Sequence, residues 1–141
     1  MSATQATSAE QDTRTLTVLV YSDNVDTRTQ VRMAVGRRPA VDVPRVEWLE
    51  CATPAAVIEA MDAGRADLAV LDGEASPLGG MGLCRQLKSE LFNCPPILVL
   101  TGRPQDSWLA AWSLADNAVS HPLDPAGVAE AVADLARRLQ A

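Results

Sequence analysis

The sequence predicts an α/β protein built on a parallel sheet with helices on both faces. Three observations carry that prediction. Short apolar runs alternate along the chain with stretches of helical periodicity, five pairs follow one another without an internal repeat, and three of the apolar runs end in a polar residue, Asp23, Asp72 or Thr101. Apolar runs without polar alternation suit strands covered on both faces. Their alternation with helices implies right-handed crossovers in one doubly wound sheet. With 141 residues the chain is long enough for one core and short for two domains.

Residues 1–14 are polar, small and aperiodic, and read as a flexible N-terminal tail ahead of a domain spanning 15–141. Leu16 to Tyr21 is a continuous apolar strand that runs into Ser22-Asp23-Asn24. Thr27, Val31, Ala34 and Val35 then share one helical face, and Gly36 and Pro39 stop that helix. The second strand follows after a longer loop, with Val46, Trp48 and Glu50 at alternate positions. Thr53-Pro54 is an N-cap and first helical residue, and Val57, Ile58 and Met61 form the stripe of the second helix, which Gly64 ends. The run from Asp67 to Asp72 is the third strand, bounded by a turn-rich loop. Met81, Cys84, Leu87 and Leu91 mark the third helix, and Ile97 to Leu100 the fourth strand, ending in Thr101-Gly102. Asp106 to about Leu114 predicts a fourth helix, Ala118-Val119 a short fifth strand, and Asp124-Pro125 the start of a last helix carrying Val128, Val132, Leu135 and Leu139 on one side.

Composition removes several function classes. The chain is 48% hydrophobic, as a folded protein should be, and its net charge of −6 argues against a nucleic-acid surface. The pairs Arg37-Arg38 and Arg137-Arg138 lie near predicted helix ends, where cations favour the macrodipole. No apolar run reaches a membrane-spanning length and the first residues lack the apolar core of a secretory signal, so no membrane insertion and a cytoplasmic location are expected. Cys51, Cys84 and Cys94 are odd in number and widely spaced, which predicts free thiols.

Strand ends of a parallel sheet collect chemistry, and the carboxyl ends here deliver Asp23, Asp72 and Thr101 to one place. Two carboxylates and a hydroxyl suit a hard cation such as Mg2+, beside which an aspartate can attack a phosphoryl group. On these residues the chain resembles the receiver domain of two-component response regulators, over about residues 15–140. Asp72 matches the phospho-accepting aspartate, with Gly80 eight residues on. Asp23 matches an acidic-pocket residue, Thr101 the hydroxyl that bonds the phosphoryl group, Gly102 the small residue after it, and His121-Pro122-Leu123 the family's Lys-Pro-Phe. The resemblance implies a flavodoxin-like (βα)5 fold with sheet order 2-1-3-4-5, a protein partner such as a histidine kinase, and Mg2+ between Asp23 and Asp72.

The departures from that family are as informative. Ser22 stands where receivers carry a further acid, His121 where they carry lysine, and Ala118 where they carry a switch aromatic; Ser76 takes the loop proline's place, with Pro77 next. The pattern predicts an atypical, partly degenerate receiver with weak Mg2+ binding, weak or absent phosphorylation of Asp72, and at most self-phosphorylation and dephosphorylation as catalysis. A conventional Mg2+-dependent phospho-acceptor is the alternative. Two further rivals, a small flavodoxin-like ligand-binding domain and an aspartate-nucleophile phosphohydrolase, lack a phosphate-cradling glycine motif and a catalytic lysine respectively.

For each candidate a plain role stands beside the functional one. Asp23 could cap the first helix, Thr101 could steady its loop, and Glu74 could be a solvated loop residue, although its charge would oppose an incoming anion. His121 could hydrogen-bond Asp72 or be an exposed imidazole. Trp108 and Trp112, four apart, share a helical face that is either core or a contact surface. No output domain is expected after the last helix, so signalling is expected to run through protein contacts, including a homodimer through the fourth helix, fifth strand and fifth helix.

Overall fold

The computed structural model of the chain describes residues 14–75 and 79–140. The expected tail, Arg14 apart, and the expected Ser76-Pro77 loop departure lie outside the described residues. The elements are β1 (Thr15–Tyr21), α1 (Val25–Val35), β2 (Arg45–Cys51), α2 (Pro54–Asp62), β3 (Leu68–Asp72), α3 (Gly80–Glu90), β4 (Ile97–Thr101), a 3-10 turn (Pro104–Asp106), α4 (Ser107–Trp112), β5 (Asn117–Ser120) and α5 (Pro125–Gln140). The five strands form one parallel sheet in the order β2-β1-β3-β4-β5. That is the doubly wound, flavodoxin-like order expected.

Successive side chains of a strand point to opposite faces, and the core divides along that alternation. Val18, Val20, Leu68, Val70, Leu98 and Leu100 face one side, where they meet Val31 and Val35 of α1 and Val128, Val132 and Leu135 of α5. Leu19, Tyr21, Ala69, Leu71, Ile97 and Val99 face the other, against Val57 and Met61 of α2 and Leu83, Cys84 and Leu87 of α3. Every residue of β3 and β4 is buried, which is why these runs carry no polar alternation. Each large side chain so buried contributes roughly 1.5–3 kcal/mol.

Local signals act where expected, with a few exceptions. Thr53 Oγ1 accepts from the Ala56 amide 3.2 Å away and Pro54 opens α2. Gly36 and Gly64 both have φ 68, closing the turns after α1 and α2. On the edge strand β2, Glu50 shares a face with Val46 and Trp48 but is exposed, because Arg28 and Arg32 of α1 hold its carboxylate at 3.1 Å each. The predicted fourth helix is shorter than Asp106 to Leu114: its first turn is the 3-10 turn, with Arg103 paired to Asp106 at 3.1 Å, and Leu114 at φ 68 ends it. Leu139, expected on the buried side of α5, is exposed.

Candidate functional site

Asp72 ends β3 and is 4% exposed, with its carboxylate turned into the loops above the sheet. Backbone approaches fix that end. The Gly73 amide donates to Leu100 O at 2.7 Å, and at Gly80 a Cβ would meet Asp72 O at 2.7 Å, so the start of α3 sits directly on the strand. Both carboxylate oxygens have donors: Ser22 Oγ at 2.8 Å from Oδ2, and the Glu74 amide at 2.9 Å from Oδ1.

Ser22 is fully buried. Its Oγ accepts from the Asn24 amide at 3.0 Å, which directs the hydroxyl proton towards Asp72. Arg28 steadies the same turn by donating to Ser22 O at 2.6 Å, while its Nε pairs with Glu50. Asp23 does not cap α1. Asn24 does, accepting from the Asp26 amide at 2.9 Å, and this leaves Asp23 exposed on the cleft.

The cleft is lined by Asp23, Asn24, Thr27, Asp72, Glu74, Gly102 and His121. His121 is placed by its amide, which donates to Thr101 O at 2.8 Å, and is followed by a cis bond to Pro122. Its Nε2 lies 3.9 Å from Asp72 Oδ1, within ion-pairing range but beyond the hydrogen bond that the sequence suggested. Thr101 is buried, and its Oγ1 donates to Arg103 O over a long 3.4 Å. Glu74 leans across the cleft onto Gly102, its Oε1 occupying the place a Cβ of residue 102 would take. Burial first, and then Asp23 and Asp72, push the phenol of Tyr21 above its usual pKa.

Asp23, Ser22, Asp72, Glu74, Thr101, Gly102 and His121 are thus brought together. Trp108 and Trp112 are not part of the cleft: both are exposed, and the Trp112 ring packs 4.7 Å from the Arg85 guanidinium of α3. The sequence reading missed Asn24, Thr27 and Arg28. Asn24 had a signal, since Asn immediately before a periodic segment is as good a cap as Asp; Arg28 reaches Ser22 only through the fold.

The residues present fit a resident divalent cation poorly. Ser22 gives its proton to Asp72 Oδ2, so that oxygen is already satisfied by the protein, and among the described residues no three His, Cys, Asp or Glu side chains converge as metal ligands. Nor is any helix among them long and apolar enough to cross a membrane.

Two curated proteins of Mycobacterium tuberculosis, from two strains and both named uncharacterised response regulatory proteins, are 57% identical to this chain over 122 residues, covering 86% of it and 92% of each of them. This chain is a response regulator. No family model matches it. Solved structures similar to this response regulator include the receiver domain of a Francisella response regulator, at TM-score 0.74 and 16% identity over 88% of this chain and 98% of that one. A chemotaxis response regulator of Vibrio cholerae gives TM-score 0.70 at 16% identity, over 86% of this chain and 99% of that one. The fold of this response regulator is that of a receiver domain.

Proposed function

We propose that residues 15–141 act as an atypical receiver that signals through protein contacts, with Asp72 phosphorylated weakly or not at all. One observation carries this reading: the buried hydrogen bond from Ser22 Oγ to Asp72 Oδ2, 2.8 Å long, at the position where the family resemblance implies a second metal-binding acid. A bond to a buried charged group is worth about 1.5–3 kcal/mol, so it holds the Asp72 carboxylate in a settled place. His121 supports the same view: it stands where the family resemblance implies lysine, and its Nε2 lies 3.9 Å from the other oxygen, beyond hydrogen-bond range. Mg2+ binding is then weak, and no output step depends on it. The partner is a protein, a histidine kinase being the first to test, and the exposed Trp108 and Trp112 offer it contact area.

The conventional reading, with Asp72 as phospho-acceptor and Thr101 following the phosphoryl oxygen, is favoured by one fact: Asp23, Asp72 and His121 still line a common cleft. Intact mass separates the two. The wild type and Asp72→Ala are incubated with Mg2+ and acetyl phosphate. We expect at most a minor phosphoryl adduct on the wild type and none on the variant; an adduct on most of the wild type that the variant lacks would establish the conventional reading instead.

A further inference from the structure

The sheet ends at β2, and part of that edge is open. The Ser22 amide donates to Cys51 O at 3.3 Å, so Cys51 and, by alternation, Leu49, Glu47 and Arg45 turn their peptide groups towards β1. Val46, Trp48 and Glu50 turn theirs outwards. The Val46 amide is taken, donating to Arg37 O at 2.7 Å. Among the described residues nothing bonds the outward N–H and C=O groups of Trp48 and Glu50, and such a row is a template for another strand. The side chains beside it are unevenly covered. Trp48 is half-buried and lines a groove with Val46, Arg32, Arg37 and Met33, the last 78% exposed on α1. Glu50 shares the Trp48 face and is held by Arg28 and Arg32, while Leu49 lies half-buried on the other face.

The geometry points to a second copy of this chain as the occupant, its β2 antiparallel to the first about a two-fold axis at Leu49, joining the two sheets edge to edge. The residues select that register. Outward-facing residues must oppose one another, so Trp48 can stand against Val46, Trp48, Glu50 or Ala52 of the other copy. Against Val46, the two Glu47 side chains would meet on the axis; against Ala52, the two Glu50 side chains would. Against Trp48, Glu50 would face Val46, whose amide is committed to Arg37. Against Glu50, the open groups of both residues exchange their N–H···O=C bonds, and the two Leu49 side chains meet on the axis. Each indole then lies beside the Glu50 carboxylate and the Arg28 and Arg32 guanidinium groups of the other copy, and Glu47 opposes Cys51, so no like charges are directly opposite. The two-fold uses up this edge, so association through it stops at a dimer. Nothing in this pairing depends on the chemistry at Asp72, and it lies at the opposite edge of the sheet from β5.

Two measurements on the full chain test the edge dimer. In sedimentation equilibrium under reducing conditions, the wild type should pass from monomer to dimer as its concentration rises. Trp112→Ala, on the far face, should keep the dimer, and Leu49→Lys, which sets two ammonium groups on the axis, should lose it. A wild type that is monomeric at every concentration, a dimer that Trp112→Ala abolishes, or one that a folded Leu49→Lys leaves intact overturns the proposal. Leu49 also packs on the core, so a crosslink decides where Leu49→Lys fails to fold. Opposed residues of a non-hydrogen-bonded pair have Cα atoms about 4.5 Å apart, within reach of a disulfide. Leu49→Cys and Arg45→Cys are each incubated with glutathione disulfide, which is reduced to two glutathione thiols as two protein thiols lose their protons and join. On a non-reducing gel Leu49→Cys should run largely as covalent dimer, and Arg45→Cys and the wild type as monomer. No more covalent dimer from Leu49→Cys than from Arg45→Cys overturns the edge dimer.

Discussion

Ser22 shows how one side chain sets the character of the cleft. Its hydroxyl is fixed from behind by the Asn24 amide and donates forward to Asp72, so the carboxylate is satisfied by the protein alone. Ser22→Ala should therefore cost about 1.5–3 kcal/mol, read as a lowered urea midpoint, because a buried charged oxygen loses its donor. Ser22→Asp should do something different: a second carboxylate beside Asp72 destabilises the fold through like-charge repulsion, and added Mg2+ restores part of the loss. The wild-type midpoint should hardly move with Mg2+, and a wild-type shift as large as the variant's would contradict the poor fit of a cation here. Of these residues Asp23, Asp72 and Thr101 were legible from strand ends. The direction of the Ser22 proton was not, since it depends on the Asn24 backbone amide reaching Ser22 Oγ from behind, a matter of turn geometry that residue types do not reveal. His121 was located by its place before Pro122, yet its distance from Asp72 is set by the loop and could not be read.

At the scale of elements, the seating of α3 on β3 is what places the Asp72 loop. Gly80 allows the first turn of α3 to press on the strand end, where a Cβ would meet Asp72 O at 2.7 Å and Leu71 C at 2.8 Å. Gly80→Ala must push backbone against backbone, so we expect about 1–3 kcal/mol of destabilisation by urea unfolding, with Gly36→Ala as a comparison whose cost comes from its positive φ rather than from contact. A Gly80→Ala protein as stable as wild type would show that α3 is free to lift. Helix faces with strong periodicity were easily read, as Val31 and Val35 of α1 and Val128, Val132 and Leu135 of α5 demonstrate. α4 was the least legible, because its first turn is a 3-10 turn stabilised by the Arg103–Asp106 pair and its end is a backbone turn at Leu114, neither of which leaves a periodic trace. For Trp108 and Trp112 periodicity gave a shared face, core or contact surface, without saying what it meets; both are exposed, so the face is not core.

Over the whole molecule, the two-sided core explains both why the fold was legible and how the protein should respond to alkali. Continuous apolar strands demand cover on both faces, and once five of them alternate with helices few arrangements remain. That cover also buries titratable groups. Cys84 lies wholly inside the α2 and α3 layer, and burial pushes its thiol from 9.0 to about 11. Burial likewise raises Cys51, Cys94 and Tyr21. For each of these acids the folded state keeps a proton that the unfolded chain gives up first, so their contribution is fully present below the unfolded pKa and is lost as pH rises through the folded one. For Cys84 the window runs from 9.0 to about 11, and the loss across it is about 2–3 kcal/mol. Urea unfolding under reducing conditions at successive pH values across that window should show the wild type losing stability, and Cys84→Ala starting lower but falling by about that much less. Parallel curves for the two proteins would mean that the Cys84 thiol ionises as readily inside the fold as outside it, and that the sheet is not sealed on its α2 and α3 side.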